Sequence, residues 1–117
     1  MTEIKSELSV TKIETTDSTK LLKYHLTSEE KQLKVTIEIP KEIITIQEND
    51  KLTILISDQP LETKNTKLAL EGKVQRKTKT EDKHVYLISF GGLQMKIETS
   101  KEQKIFTPIR NIYLNIN

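Results

Sequence analysis

Polar and hydrophobic residues alternate along much of the chain, and the clearest example is the segment from Leu33 to Ile39. Its odd positions are all aliphatic, its even positions are all polar, and Pro40 follows directly. Because successive side chains of a β-strand point to opposite faces, this period of two predicts a strand with one buried face. Proline cannot donate a backbone hydrogen bond, so we expect the strand to end there.

Shorter stretches of the same pattern come before this strand. Residues Leu8 to Ile13 and Leu22 to Leu26 predict two strands, separated by the polar run 14–20. Ser28, Glu29 and Glu30 predict the turn into the Leu33 strand. These three strands are expected to form a meander.

After Pro40 the pattern weakens and then returns. Residues 41–47 show no clear face and predict an extended connection, and residues 48–50 predict a turn. Leu52 to Ile56 is apolar enough for a central strand. The polar run 57–66 predicts a loop.

The second half of the chain predicts strands of the same kind. Thr66 to Arg76 predicts a strand in which Gly72 marks a bulge or a sharp bend, and residues 77–83 predict a charged turn. A last strand is predicted from four aliphatic residues near the C-terminus: Ile109, Ile112, Leu114 and Ile116.

A hairpin is the strongest local prediction. His84 to Phe90 and Leu93 to Glu98 both alternate, and only Gly91 and Gly92 separate them. A type I′ turn needs positive φ at both central residues, and glycine reaches it without steric cost.

Seven or eight short strands with no long helical pattern predict an all-β fold. In 117 residues we expect a single domain, 1–117, folded as one small antiparallel barrel of OB type. The composition agrees, because β-branched residues are abundant whereas Ala69 is the only alanine.

Charge and composition exclude several classes of protein. No apolar run approaches the roughly 20 residues of a membrane-spanning helix, and Glu3, Lys5 and Glu7 interrupt the place of a signal peptide. The chain has no cysteine, so we expect neither disulfides nor cysteine-ligated metals. Lys and Arg number 19 against 17 Asp and Glu, with the signs interspersed. We expect a cytoplasmic protein with a solvated surface.

Catalytic chemistry is not indicated. His25 and His84 are far apart in sequence and lack a partner at metal-ligand spacing, and His25 lies in a strand pattern. The carboxylate pairs lie in turns among lysines, and no nucleophile elbow or phosphate-binding glycine loop is present. We therefore expect no enzyme activity, no cofactor, no metal and no small-molecule substrate.

Two binding roles remain open from the residues alone. A barrel of OB type can bind single-stranded nucleic acid through cations and stacked aromatic residues. The basic cluster 73–79 fits that alternative, whereas Tyr86 and Phe90 share one strand face with Ile88 and fit a core. Alternatively, strand edges and the glycine hairpin can dock another protein chain.

Three motifs carry a family resemblance. Gly72-Lys73-Val74, then Phe90-Gly91-Gly92-Leu93, then Met95-Lys96 follow in the order seen in the eighth subunit of RNA polymerase. From about residue 21 onward the chain resembles this subunit, which the three eukaryotic nuclear polymerases share and crenarchaeal polymerase has in shorter form. The strand start at Asp50-Lys51-Leu52 and the final Ile112-Tyr113-Leu114 also fit. The long acidic insertion of the eukaryotic members is absent, which implies the archaeal branch.

The resemblance implies a non-catalytic accessory subunit of DNA-directed RNA polymerase. Such a subunit packs on the largest subunit, away from the nucleotide-addition site, so the expected role is to stabilise that subunit during transcription, with at most weak nucleic-acid contact. The candidate contact region is the hairpin together with the neighbouring strand. Its residues are Lys73, Arg76, Phe90, Gly91, Gly92, Leu93 and Gln94. The competing interpretation is that the glycines serve only the turn and that Phe90, Leu93 and Met95 are core.

Overall fold

The alternating segments form eight antiparallel β-strands in a computed structural model, which describes residues 3–29 and 32–117. The strands are β1 (Glu3–Thr15), β2 (Leu21–Ser28), β3 (Leu33–Pro40), β4 (Lys51–Ser57), β5 (Leu68–Lys79), β6 (His84–Phe90), β7 (Leu93–Thr99) and β8 (Asn111–Ile116). Their order around the molecule is β1-β2-β3-β7-β6-β5-β8-β4, and β4 pairs with β1 to close a barrel. The predicted fold class, an all-β antiparallel barrel of seven or eight strands, is confirmed.

The barrel interior is filled by the apolar face of every strand. In β3 the residues Leu33, Val35, Ile37 and Ile39 are all buried, as the alternation predicts. The connection between β3 and β4 adds Ile44 and Ile46 to this core, and the connection between β7 and β8 adds Ile105 and Phe106. Because β3 and β7 are antiparallel neighbours, these two connections fill opposite ends of the barrel.

The hairpin between β6 and β7 forms as predicted. Gly91 and Gly92 have φ values of 61° and 98°, which are both in the left-handed region that glycine tolerates. Phe90 faces Leu93 across the turn, and Ser89 faces Gln94. The register of β6 and β7 therefore follows from the two-residue turn.

Several predicted boundaries were wrong. β1 runs over Glu3–Thr15, well beyond the predicted Leu8–Ile13, and β2 continues to Ser28, where a turn was predicted. β5 continues to Lys79, so the charged turn is shorter than the predicted 77–83. The last strand begins at Asn111, and Ile109 lies before it with φ 73° and 79% exposure. In the last two cases the sequence pattern is weak. Cations are compatible with a solvated strand as well as a turn, and Ile109 lies three residues before Ile112, out of phase with the alternation of the last strand.

Gly72 has a different role from the predicted bulge. The shift of register in β5 lies between Val74 and Arg76. A Cβ built on Gly72 would overlap the carbonyl oxygen of Ser89 and lie 2.6 Å from Cδ1 of Phe90. Glycine is required here because β5 and β6 approach closely.

The predicted turn at 28–30 includes Glu30, which lies outside the described residues.

Candidate docking surface

Two of the predicted contact residues lie on one outer face of the barrel. Lys73 of β5 faces Ser89 of β6, which in turn faces Gln94 of β7. Neighbouring strands are about 4.8 Å apart, so Lys73 and Gln94 are separated by about 10 Å. Both residues are exposed, and the backbone N–H of Gln94 donates to Oε1 of Glu38 on β3 at 3.2 Å. The pairing register therefore brings these sequence-distant residues together.

The bulge in β5 turns Arg76 onto this same outer face. Val74 points into the core, so uninterrupted alternation would also direct Arg76 inward. The extra residue Gln75 changes the parity, and Arg76 lies opposite the half-buried Leu87 of β6. Leu87 also faces Lys96 of β7, so this apolar side chain lies between the cations Arg76 and Lys96.

The remaining predicted contact residues divide between core and surface. Phe90 is 4% exposed, and its ring packs against the backbone of Gly72, so its side chain supports the hairpin from inside the barrel. Leu93 is half-buried against the core. Gly91 and Gly92 are exposed, and a Cβ at either would meet nothing within 4 Å. The outer side of the turn is open space.

Ion pairs are present on both sides of the barrel. The ammonium group of Lys77 donates to the carboxylate of Glu102, which lowers the pKa of Glu102 and raises that of Lys77. On the other side, the contact with His25 lowers the pKa of Glu14. His25 is thus a half-buried strand residue, as predicted from its pattern. Among the described residues no group of three His, Asp or Glu side chains could hold a metal ion.

Aromatic side chains are poorly placed for stacking on nucleic-acid bases. Four of the five lie in the core with 0–4% exposure: Tyr24, Tyr86, Phe90 and Phe106. Tyr86 and Phe106 pack against each other with ring centroids 4.7 Å apart. The fifth, Tyr113, is half-buried and lies opposite Glu71, and burial together with this carboxylate raises its pKa. An acidic neighbour disfavours a phosphate backbone at that position.

A tight turn at residues 107–110, beside this surface, was not predicted from the sequence. The backbone N–H of Arg110 donates to the carbonyl of Thr107 at 3.0 Å, which closes a turn with Pro108 and Ile109 at its centre. Proline at the second position of a turn followed by positive φ at the third is typical of type II. Pro108 was the available signal, because it predicts a turn at the place where Ile109 was assigned to the last strand.

The described residues thus form a small closed β-barrel whose predicted contact residues, apart from Phe90 and Leu93, face solvent. The sequence profile of a family of small RNA polymerase subunits, described as the G subunit of DNA-directed RNA polymerase, matches residues 3–117. The chain belongs to this family of non-catalytic accessory subunits, and the predicted resemblance to the archaeal counterpart of the eighth RNA polymerase subunit is confirmed as membership of the G-subunit family.

Other comparisons add little to the family match. No curated protein sequence matches the chain. Among solved structures, the cytoplasmic molybdate-binding protein ModG with molybdate bound aligns over 97% of this chain and 89% of its own. That alignment has 9% sequence identity and a TM-score of 0.39. Within the described residues there is no helix long and apolar enough to cross a membrane.

Proposed function

We propose that this subunit docks on the largest subunit of RNA polymerase in the cytoplasm and stabilises it during transcription. The observation that carries the proposal is the exposed outer face that joins Lys73, Arg76 and Gln94, in a chain that belongs to a polymerase subunit family. Lys73 and Arg76 lie on β5 and Gln94 lies on β7. Both strands pair with β6, which holds these side chains in fixed relative positions and favours recognition of one partner.

Assembly with the polymerase tests this proposal. Tagged chain is added to native lysate of the source organism, recovered at moderate and then high salt, and the retained polypeptides are identified by mass spectrometry. We expect the largest polymerase subunit in stoichiometric amount at both salt concentrations. Recovery of the other polymerase subunits without the largest one would contradict the proposed partner.

Two charge-changing variants locate the surface. Lys73→Glu and Gln94→Glu are expected to weaken assembly about tenfold with unchanged Tm, because both side chains are exposed. Lys5→Glu is the matched control, since Lys5 is an exposed lysine of β1, the strand four positions from β6 in either direction around the barrel. Equal effects of Lys73→Glu and Lys5→Glu would argue against a localised surface.

Binding of single-stranded nucleic acid is the competing role. With four of the five aromatic side chains in the core, the remaining attraction would come from the cations of β5. Such binding weakens steeply with salt, because cations released from the nucleic acid drive it. We expect no retention of single-stranded DNA at 0.15 M salt, roughly the physiological ionic strength.

A further inference from the structure

β5 changes its neighbouring strand at Lys73: Leu68–Lys73 pair with β8, and Lys73–Lys79 pair with β6. The last residues paired between β5 and β8 are Lys73 and Asn111. Val74 still exchanges backbone hydrogen bonds with the connection that precedes β8. Its N–H donates to the carbonyl of Arg110 at 3.1 Å, and its carbonyl accepts from the N–H of Ile109 at 2.9 Å. From Arg76 to Lys79, β5 pairs with β6, and no described residue pairs with its other side.

This half of β5 therefore has a free edge. In an antiparallel strand, alternate residues direct their backbone N–H and C=O groups away from a given neighbour, so part of the backbone here faces outward. All side chains from Gln75 to Thr80 are exposed. An open edge of this kind can accept a further strand from another chain.

Ile109 lies at the point where this free edge begins, and its conformation is unusual. A β-branched residue at φ 73° is strained, yet the side chain is 79% exposed and gains little burial within the chain. The two other described non-glycine residues with positive φ are Asn49 and Asn65, at 73° and 66°. Asparagine tolerates this conformation, so isoleucine at 109 is the exception within the same protein.

The charge of the free edge indicates the chemistry of a partner. The sequence from Gln75 to Thr80 is Gln-Arg-Lys-Thr-Lys-Thr, with three cations and no acid. Lys77 is paired with Glu102, which leaves Arg76 and Lys79 as the exposed cations of the edge to which no described carboxylate is paired. Acidic side chains on an incoming strand would complement these two residues.

We propose that the free edge of β5 and Ile109 together bind an extended segment of another RNA polymerase subunit. The segment adds a ninth strand beside Arg76–Lys79, carries acidic side chains opposite Arg76 and Lys79, and covers Ile109 with an apolar surface. The proposal rests on the proposed function in that its partner belongs to the polymerase. It adds the mode of binding, by main-chain hydrogen bonds and one apolar anchor.

Replacing the apolar anchor separates binding from folding. Ile109→Asn is expected to raise Tm by a few degrees, because it relieves backbone strain, and to weaken assembly into RNA polymerase at least tenfold. Assembly is measured by competition between the variant and the wild-type chain. The matched control is Ile43→Asn, since Ile43 is the other exposed large hydrophobic residue described, at 54%, and assembly should be unchanged. Unchanged assembly of Ile109→Asn overturns the proposal.

Hydrogen exchange tests the free edge itself. Amides of Arg76–Lys79 that face the open side should exchange rapidly in the free chain and at least tenfold more slowly in assembled polymerase. Unchanged exchange there, with protection confined to Gly91–Gln94, overturns this proposal and leaves the proposed function intact. Failure of the chain to assemble with the polymerase at all overturns both.

A second copy of this chain is the competing occupant of the edge. Sedimentation of the purified protein at increasing concentration tests whether the chain binds a second copy of itself. We expect a monomer throughout. A concentration-dependent dimer that Ile109→Asn abolishes overturns the proposal, because the edge would then bind itself.

Discussion

The two halves of β5 pair with different strands, and their residues differ in burial. The first half, Leu68–Lys73, pairs with β8, and hydrophobic or small residues alternate there with solvent-facing ones. The second half, Arg76–Lys79, has only β6 beside it, and every residue is exposed. The bulge at Gln75 separates the two halves.

This difference shows what each half is selected to do. The first half must fit closely where it meets the end of β6, since Gly72 admits the backbone of Ser89 and the ring of Phe90. In the second half every side chain faces solvent, and cations at its free edge oppose nonspecific pairing with other strands. A charged edge also restricts which partner strand can add to it. The first half serves stability, and the second is available for binding.

The largest effect on stability is expected in the first half of β5. Gly72→Ala should destabilise the protein by about 3 kcal/mol, because the new methyl group would overlap backbone that cannot move independently. Gly91→Ala is the comparison, with an expected loss of about 1 kcal/mol from φ 61° alone, since its surroundings are open. Urea denaturation measures both. Equal losses would show that close approach at Gly72 is unimportant.

A smaller loss of stability is expected where residues 58–66 lie against β8, beside the first half of β5. The side chain of Asn115 is 5% exposed and its Nδ2 donates to the carbonyl of Glu62 at 2.8 Å. Asn115→Ala should cost about 1–2 kcal/mol and speed proteolysis within residues 58–66. Assembly with the polymerase should not change. A weakened assembly would place this covered face in the interface as well.

In the second half of β5, a change should affect binding and leave stability nearly unchanged. Arg76→Glu is expected to alter the free energy of unfolding by less than about 0.5 kcal/mol and to weaken assembly roughly tenfold. Lys67→Glu, an exposed lysine just before the first half of β5, is the matched control. If Arg76→Glu lowered Tm substantially, the second half would have a structural role that its exposure does not suggest.

The smallest effect is the pH dependence of the pair at the free edge. Lys77 lowers the pKa of Glu102 below 4.5, so the pair stabilises the protein above that pH and this contribution is lost as pH falls through the lowered pKa. The raised pKa of Lys77 means a second loss above about pH 10.5. Glu102→Gln should reduce Tm slightly at pH 6 and match the wild type at pH 2.5. A Tm difference independent of pH would exclude the ion pair as its cause.

Parts of the fold and of the candidate surface could be predicted because they depend on local chemistry. The alternation of Leu33–Ile39 requires one buried face, and Gly91-Gly92 requires a tight turn. The interior position of Tyr86 and Phe90 followed from their shared face with Ile88. Arg76 was a predicted contact residue, but its outward orientation did not follow from alternation. One unpaired residue at Gln75 reverses the facing of every later residue in β5.

By itself the sequence determined the number and sites of most strands, the hairpin and the apolar stripe of each strand, because these depend on neighbours within a few positions. Tertiary structure alone decided which strands meet. It placed Lys73 beside Ser89 and Gln94, required glycine at position 72, and left Arg76–Lys79 without a second neighbour. Barrel closure sets the strand order and the offset between strands, and no local pattern encodes where one strand extends beyond the end of its neighbour.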